Sequence, residues 1–296
     1  MTPYKNSHWL VETDWLEENM HDSNIRVYDC AAIPERNPDI TQRKKHPILP
    51  KSSKDKFYLQ HIPGANYLDV PNQLTDKSTS IPLMLAPTEQ LVTSFRQAGI
   101  SNSSHVVLYS SGSPIWAARV WCILHSLGLE NISILNGGLQ KWLDEGRPTS
   151  SKEKKYTTGN FSPVLKKHIF INKEQVLSTT KNTNTLLIHT LKPSVFDGSD
   201  DRLIFGRRGH IPTSINLPSS LVLEADSATV LSSDRLEQIF KNIGVDRVEN
   251  LITYCGGGIN ASLVAFALKL LGYNNVSIYD GSMNEWGNDI SLPIAT

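Results

Sequence analysis

Three landmarks of this chain occur twice, in the same order. His61-Ile62-Pro63 returns as His210-Ile211-Pro212, 149 positions on. The apolar run Val106-Val107-Leu108-Tyr109 returns as Leu251-Ile252-Thr253-Tyr254, 145 on, and the stretch from Gly137 to Trp142 returns from Gly281 to Trp286, 144 on. Ordered recurrence with small length changes means two copies of one domain, and 296 residues is long enough for each copy to bury its own core. Within a copy, short apolar runs alternate with helix-patterned stretches. The predicted fold class is therefore α/β, with a mostly parallel sheet flanked by helices in each copy. The expected boundaries are residues 1–147 and 164–296, joined by a linker over 148–163. That linker opens in the polar, proline-started run Arg147-Pro148-Thr149-Ser150-Ser151.

In the first copy, Trp9-Leu10-Val11 reads as a short strand, Thr13 to Glu18 as a capped helix start and Ile25 to Cys30 as a buried strand. From Pro34 to Gln60 the chain is polar and punctuated by prolines, which predicts a long surface excursion. Its cluster Arg43-Lys44-Lys45 reads as solvated charge. A helix is expected after Pro87 as far as Gly99, then a strand at 106–109, a loop from Ser110 to Pro114 and a helix from Trp116 to Leu127.

Lys+Arg and Asp+Glu number 29 each, so no net field favours nucleic acid or an anionic membrane. No apolar run approaches the roughly 18 residues of a membrane-spanning helix. Residues Met1 to Glu18 lack a signal peptide's basic start and apolar core. The three cysteines, Cys30, Cys122 and Cys255, have no metal-ligand spacing and cannot all pair, so a reducing, cytoplasmic location with no metal is expected. Cys30 and Cys122 lie in apolar patterns and read as packing residues.

Cys255 is different. It follows the second buried strand and precedes Gly256, Gly257, Gly258, Ile259 and Asn260, after which the chain turns helical. Glycines there permit positive φ, so successive backbone N–H groups can converge on one point. A helix N-terminus adds further free N–H groups and about half a positive charge. Both favour thiolate over thiol, and a cysteine in that setting is a nucleophile. The first copy places Ser110 opposite Cys255, so any catalysis belongs to the second copy.

These residues together resemble the two-domain sulfurtransferases of the rhodanese family, over nearly the whole chain. The resemblance rests on the paired His-Ile-Pro turns, Asn136-Gly137-Gly138-Leu139-Gln140-Lys141-Trp142, and Cys255-Gly256-Gly257-Gly258-Ile259-Asn260-Ala261. It implies two tandem rhodanese-like domains, the first non-catalytic and the second catalytic. In that family, thiosulfate-using members typically carry basic side chains in the loop, whereas mercaptopyruvate-using members carry Cys-Gly-Ser-Gly-Val-Thr-like loops. The uncharged loop here resembles the latter, 3-mercaptopyruvate branch. Two departures stand out. Gly257 replaces the loop serine, and His189-Thr190-Leu191 replaces an Asp-Ala-Arg-like strand end, removing one substrate-clamping arginine. Arg202, Arg207, Arg208 and His61 remain as candidate substrate-binding residues.

The implied activity moves sulfur from a small anionic donor, 3-mercaptopyruvate or thiosulfate, through a Cys255 persulfide. The acceptor would be a thiol, cyanide or a thioredoxin-like protein, and no cofactor is needed. Two rivals are weighed. A cysteine phosphatase needs Cys-x5-Arg, and the sixth residue after Cys255 is Ala261. A degenerate rhodanese-like module that binds a partner or senses oxidants would accommodate the missing arginine and serine.

Overall fold

The structure is a computed structural model that describes residues 3–296 other than Lys44 and Lys181. The basic cluster Arg43-Lys44-Lys45 therefore lies partly outside the described residues. The first half contains strands β1 (Leu10–Val11), β2 (Ile25–Asp29), β3 (Ala32–Arg36), β4 (Ile48–Ser52), β5 (Ala65–Tyr67), β6 (His105–Tyr109) and β7 (Ile132–Leu135). Five of these form a wholly parallel sheet in the order β1-β7-β6-β2-β5. The second half contains β8 (Phe170–Ile171), β9 (Thr185–His189), β10 (Ile215–Asn216), β11 (Asn250–Tyr254) and β12 (Val276–Tyr279), parallel in the order β8-β12-β11-β9-β10. Position by position, the two orders are the same. Parallel neighbours require crossover connections, and the helices supply them. With both faces covered, β6 and β11 read as continuous apolar runs instead of alternating ones.

The repeated landmarks turn out to be repeated ties. His61 stacks on Phe57 at 3.9 Å between ring centroids, and its Nδ1 meets the Phe57 carbonyl at 2.7 Å; His210 does the same with Phe196, at 3.6 and 2.8 Å. Tyr109 accepts the Ile62 N–H at 3.3 Å, and Tyr254 accepts that of Ile211 at 3.1 Å. Trp142 donates from Nε1 to Pro148 O, and Trp286 to Pro293 O, each at 2.7 Å. In each half the tyrosine fastens the His-Ile-Pro turn to the end of a central strand.

The halves meet through two equivalent helices, Ile115–Ser126 and Ile259–Leu270, which pack directly on each other. Both are apolar on nearly every side, as a helix buried all round must be. Trp121 meets Phe266 edge to face at 5.0 Å, and Cys122 Sγ lies 3.6 Å from Ser262 O. One hydrophobic cluster accordingly runs through both halves, with a smaller core on the outer side of each sheet. At the edge of the helix pair, Arg119 Nη2 reaches Asp280 Oδ1 at 2.6 Å, with both side chains almost wholly buried.

The expected surface excursion over Pro34 to Gln60 is structured. β3 and β4 pair antiparallel from Ala32 opposite Ser52 to Arg36 opposite Ile48, and the helix Lys54–Leu59 follows. Among the described residues the second half has no matching hairpin. Pattern reading missed it because Pro34 and Pro50 face each other in the register, where a two-stranded edge ribbon tolerates proline.

Breaking the buried ion pair or protonating a buried histidine costs stability. Replacing Arg119 with Met leaves Asp280 buried and uncompensated, so urea unfolding should show a loss of about 3–5 kcal/mol; R119M paired with D280L should recover part of it. His125 lies against Trp121 and Trp9, and burial first, then Lys166 and Lys269, push its imidazole down to about 3. The unfolded chain binds that proton near its ordinary value and the folded chain does not. Its contribution is therefore present above about pH 6.5 and is lost as pH falls toward 3, at ~1.4 kcal/mol per pH unit. Denaturation across that range should show a shallower pH slope in His125→Gln.

Candidate active site

Cys255 sits at the carboxyl end of β11, flanked by β9 and β12, where ligands collect in open α/β sheets. The loop that follows has an asymmetric hydrogen-bond account. Most carbonyls here are occupied: Tyr254 O accepts from Thr190 N at 2.9 Å, Cys255 O from Met283 N at 3.1 Å, Gly256 O from Asn284 N at 2.7 Å, and Gly258 O from Ser262 N at 3.1 Å. The Cys255 N–H donates to Ser282 Oγ at 3.1 Å. From Gly256 to Ala261, by contrast, no backbone N–H has an acceptor among the described residues. Buried amides are normally paired, so a run of free ones beside a cysteine is a site for negative charge.

The glycines serve this geometry in two ways. Only Gly258 has positive φ, at 79°, where it caps the helix Ile259–Leu270. Gly256 is needed for space instead: a Cβ there would lie 2.6 Å from the Phe205 ring. The strain sits on neighbours, for Leu83 and Ser282 both hold left-handed backbone at φ 67° and 48°. Ser282 bonds Cys255 N, while Leu83 abuts Gly257 and accepts from Arg119 at 3.1 Å.

The first copy shows what the same place does without a thiol. Ser110 Oγ accepts the N–H of Ala117, third residue of its helix, at 3.1 Å. In the second copy the corresponding residue is Ala261, whose N–H has no protein acceptor among the described residues. Pro114, which lacks an N–H, removes another donor from the first loop. Cys30 and Cys122 are wholly buried; burial pushes both thiols up, that of Cys122 to about 12.

A cavity of about 330 Å³ opens over Cys255, Gly256 and Gly257. One wall is the β3–β4 hairpin with Trp116 and Leu83 of the first half, and the other is Leu191, Ile204 and Phe205 of the second. Of the residues expected around the cysteine, the structure brings Gly256, Gly257, Ile259 and Asn260 to this cavity, with Gly258 completing the loop behind them. Arg202, Arg207, Arg208 and His61 lie outside it. Arg202 is exposed and paired with Asp200 at 3.0 Å, and Arg208 donates to Asp201 O at 2.8 Å. Arg207 spends its guanidinium on the carbonyls of Gly287, Leu292, Trp286 and Asp289, clasping the C-terminal segment. His61 has Nδ1 on Phe57 O and Nε2 on Lys152 O at 3.1 Å. His189 is buried against Phe196 and Tyr254, and burial pushes it down to about 3.

Sequence reasoning missed His46, Asn284 and Phe205 as cavity residues. No local signal marks them, because they come from three separate segments. Among the described residues no charged side chain lines the cavity.

Residues 12–145 and 180–289 match the rhodanese-like domain family. Over 288 residues the chain is 30% identical to the 3-mercaptopyruvate sulfurtransferase of Escherichia coli (strain K12), covering 97% of each. It is 28% identical over 284 residues to the thiosulfate sulfurtransferase of Gallus gallus, covering 94% of this chain and 92% of that protein. The crystal structure of SseA from Escherichia coli, described as a 3-mercaptopyruvate sulfotransferase with the rhodanese fold, superposes with a TM-score of 0.79 at 28% identity, covering 93% and 98% of the two chains. EanB superposes at 0.83 over all of this chain and 71% of its own, at 22% identity, a likeness of fold. With the repeated sheet order, the cysteine loop and these matches in hand, the chain belongs to the rhodanese-like family, on its two-domain sulfurtransferase branch.

Proposed function

We propose that Cys255 carries sulfur as a persulfide between a small donor and a thiol, cyanide or thioredoxin-like acceptor. The observation that supports this most is the run of free amides from Gly256 to Ala261 beside a cysteine that opens into a cavity. A thiolate attacks the donor's outer sulfur, a sulfur–sulfur bond forms, and the donor's remaining part leaves with the electrons of the broken bond. The terminal sulfur then bears the charge, and unpaired N–H groups stabilise it without reorganising. The acceptor removes that sulfur and restores the thiolate.

3-Mercaptopyruvate is the favoured donor over thiosulfate. Thiosulfate brings two charges to the reacting centre and gains most from nearby cations, and none of the described residues lining the cavity is charged. Mercaptopyruvate's single carboxylate can be held by amides alone. The same lack of cations keeps a second reading in play, a rhodanese-like module that binds or senses oxidants. Turnover separates them: steady-state assays with each donor and cyanide should show activity, with mercaptopyruvate ahead. No turnover with either donor favours the second reading.

Intact-mass measurement after donor treatment should find one added sulfur on the wild-type chain and none on Cys255→Ser. An adduct that persists in this variant removes Cys255 from the carrier role. Ser110→Ala should leave turnover intact while lowering stability by about 1 kcal/mol, since it only unpairs the Ala117 N–H; a comparable loss of turnover would place chemistry in the first copy.

A further inference from the structure

A proton has to move if Cys255 takes sulfur from 3-mercaptopyruvate, and a proton carrier in the cavity has a role only under that reading of the site. The attacking sulfur bonds to the donor sulfur, and the carbon–sulfur bond breaks with its electron pair going to carbon. The donor's thiol hydrogen leaves sulfur, and one proton arrives at the methylene carbon, turning the departing enolate into pyruvate. The proton count closes, but something must carry the proton. Cys255 aside, the one titratable side chain among the described residues lining the cavity is His46.

His46 comes from the hairpin of the first half, just before β4. Its backbone is fixed on both sides: its N–H donates to Gln42 O and its carbonyl accepts from Asn37 Nδ2, each at 2.8 Å. The side chain is only 8% exposed, and its Nδ1 is buried with no hydrogen-bond partner among the described residues. Leaving such an atom unmatched costs about 1–3 kcal/mol, a cost that makes sense where a bound molecule completes the bond. Both nitrogens of His61, by comparison, already rest on carbonyls.

Asn284 links this ring to the loop. Its side-chain amide stands beside the imidazole, and its Nδ2 fills the space a side chain at Gly257 would need, 2.8 Å from where a Cβ would lie. Burial pushes the His46 imidazole below its ordinary value, the Asn284 amide works in the opposite direction, and Lys45 adds to the lowering. At neutral pH the ring is therefore uncharged, with one bare nitrogen and one N–H. Such a ring can accept a proton at one nitrogen and give one from the other.

We propose that His46, oriented by Asn284, takes the thiol proton of the bound 3-mercaptopyruvate and returns a proton to the carbon that the sulfur leaves.

The test compares two donors on the full chain, by the rate at which Cys255 gains sulfur in intact-mass measurements. Inorganic polysulfide serves as the second donor because its departing sulfide chain needs no proton on carbon. In His46→Gln, loading from 3-mercaptopyruvate should fall by about 100-fold, the scale of a lost general acid–base. That fall should be at least ~30-fold greater than the fall with polysulfide, and His46→Asn provides the same comparison should the first variant not fold. Equal falls with both donors make His46 a structural residue and overturn the proposal; so does no fall with either, or a wild-type chain that loads from polysulfide alone. A wild-type chain loaded by neither donor, or loading that survives Cys255→Ser, removes the sulfur-carrier reading itself.

Discussion

The structure depends on two equivalent helices, Ile115–Ser126 and Ile259–Leu270, burying each other. Each already packs on its own sheet, so pressing one against the other sinks both in a cluster that runs through the two halves. Fully burying one Leu or Phe side chain contributes about 1.5–3 kcal/mol. Val120, Trp121, Leu124, Leu263, Phe266 and Leu270 are all buried along these helices. Apolar burial therefore outweighs the buried Arg119–Asp280 pair as the force joining the halves. A buried ion pair is weak evidence for stability, and its clearer effect is on position. Asp280 also accepts from Leu85 N at 2.6 Å, and Arg119 donates to Leu83 O. The pair thus pins a first-half loop over the cysteine loop of the second half.

The loop's hydrogen bonds follow from that placement. Met283 and Asn284 hold the carbonyls of Cys255 and Gly256, while the amides from Gly256 to Ala261 have no acceptor among the described residues. Backbone groups do this more reliably than side chains because they cannot rotate away. The first copy keeps the strand, loop and helix but satisfies the helix N–H with a serine hydroxyl. Duplication has thus kept one framework and varied the group at its strand end together with the loop that follows.

The cavity takes its character from both halves. The β3–β4 hairpin, present in the first half only among the described residues, forms the wall facing the cysteine of the second. A mostly apolar lining strengthens the few polar contacts made against it. His46, Asn260 and Asn284 are the side chains that bring such contacts.

Much of this was legible in order along the chain. The repeat, the parallel α/β class, the central strands, the family and the cysteine at a strand-to-helix loop all rest on local periodicity and on spacing between landmarks, which sequence records directly. Three things were decided by tertiary structure. The hairpin's prolines disguised a ribbon whose register depends on its partner strand. Arg207, free by sequence, is taken up by carbonyls about 80 residues away. His46 and Asn284, 238 positions apart, meet only because the two helices close the halves on each other. Sequence spacing reports neighbours along a helix or strand, whereas contacts between distant segments are set by how buried faces fit together.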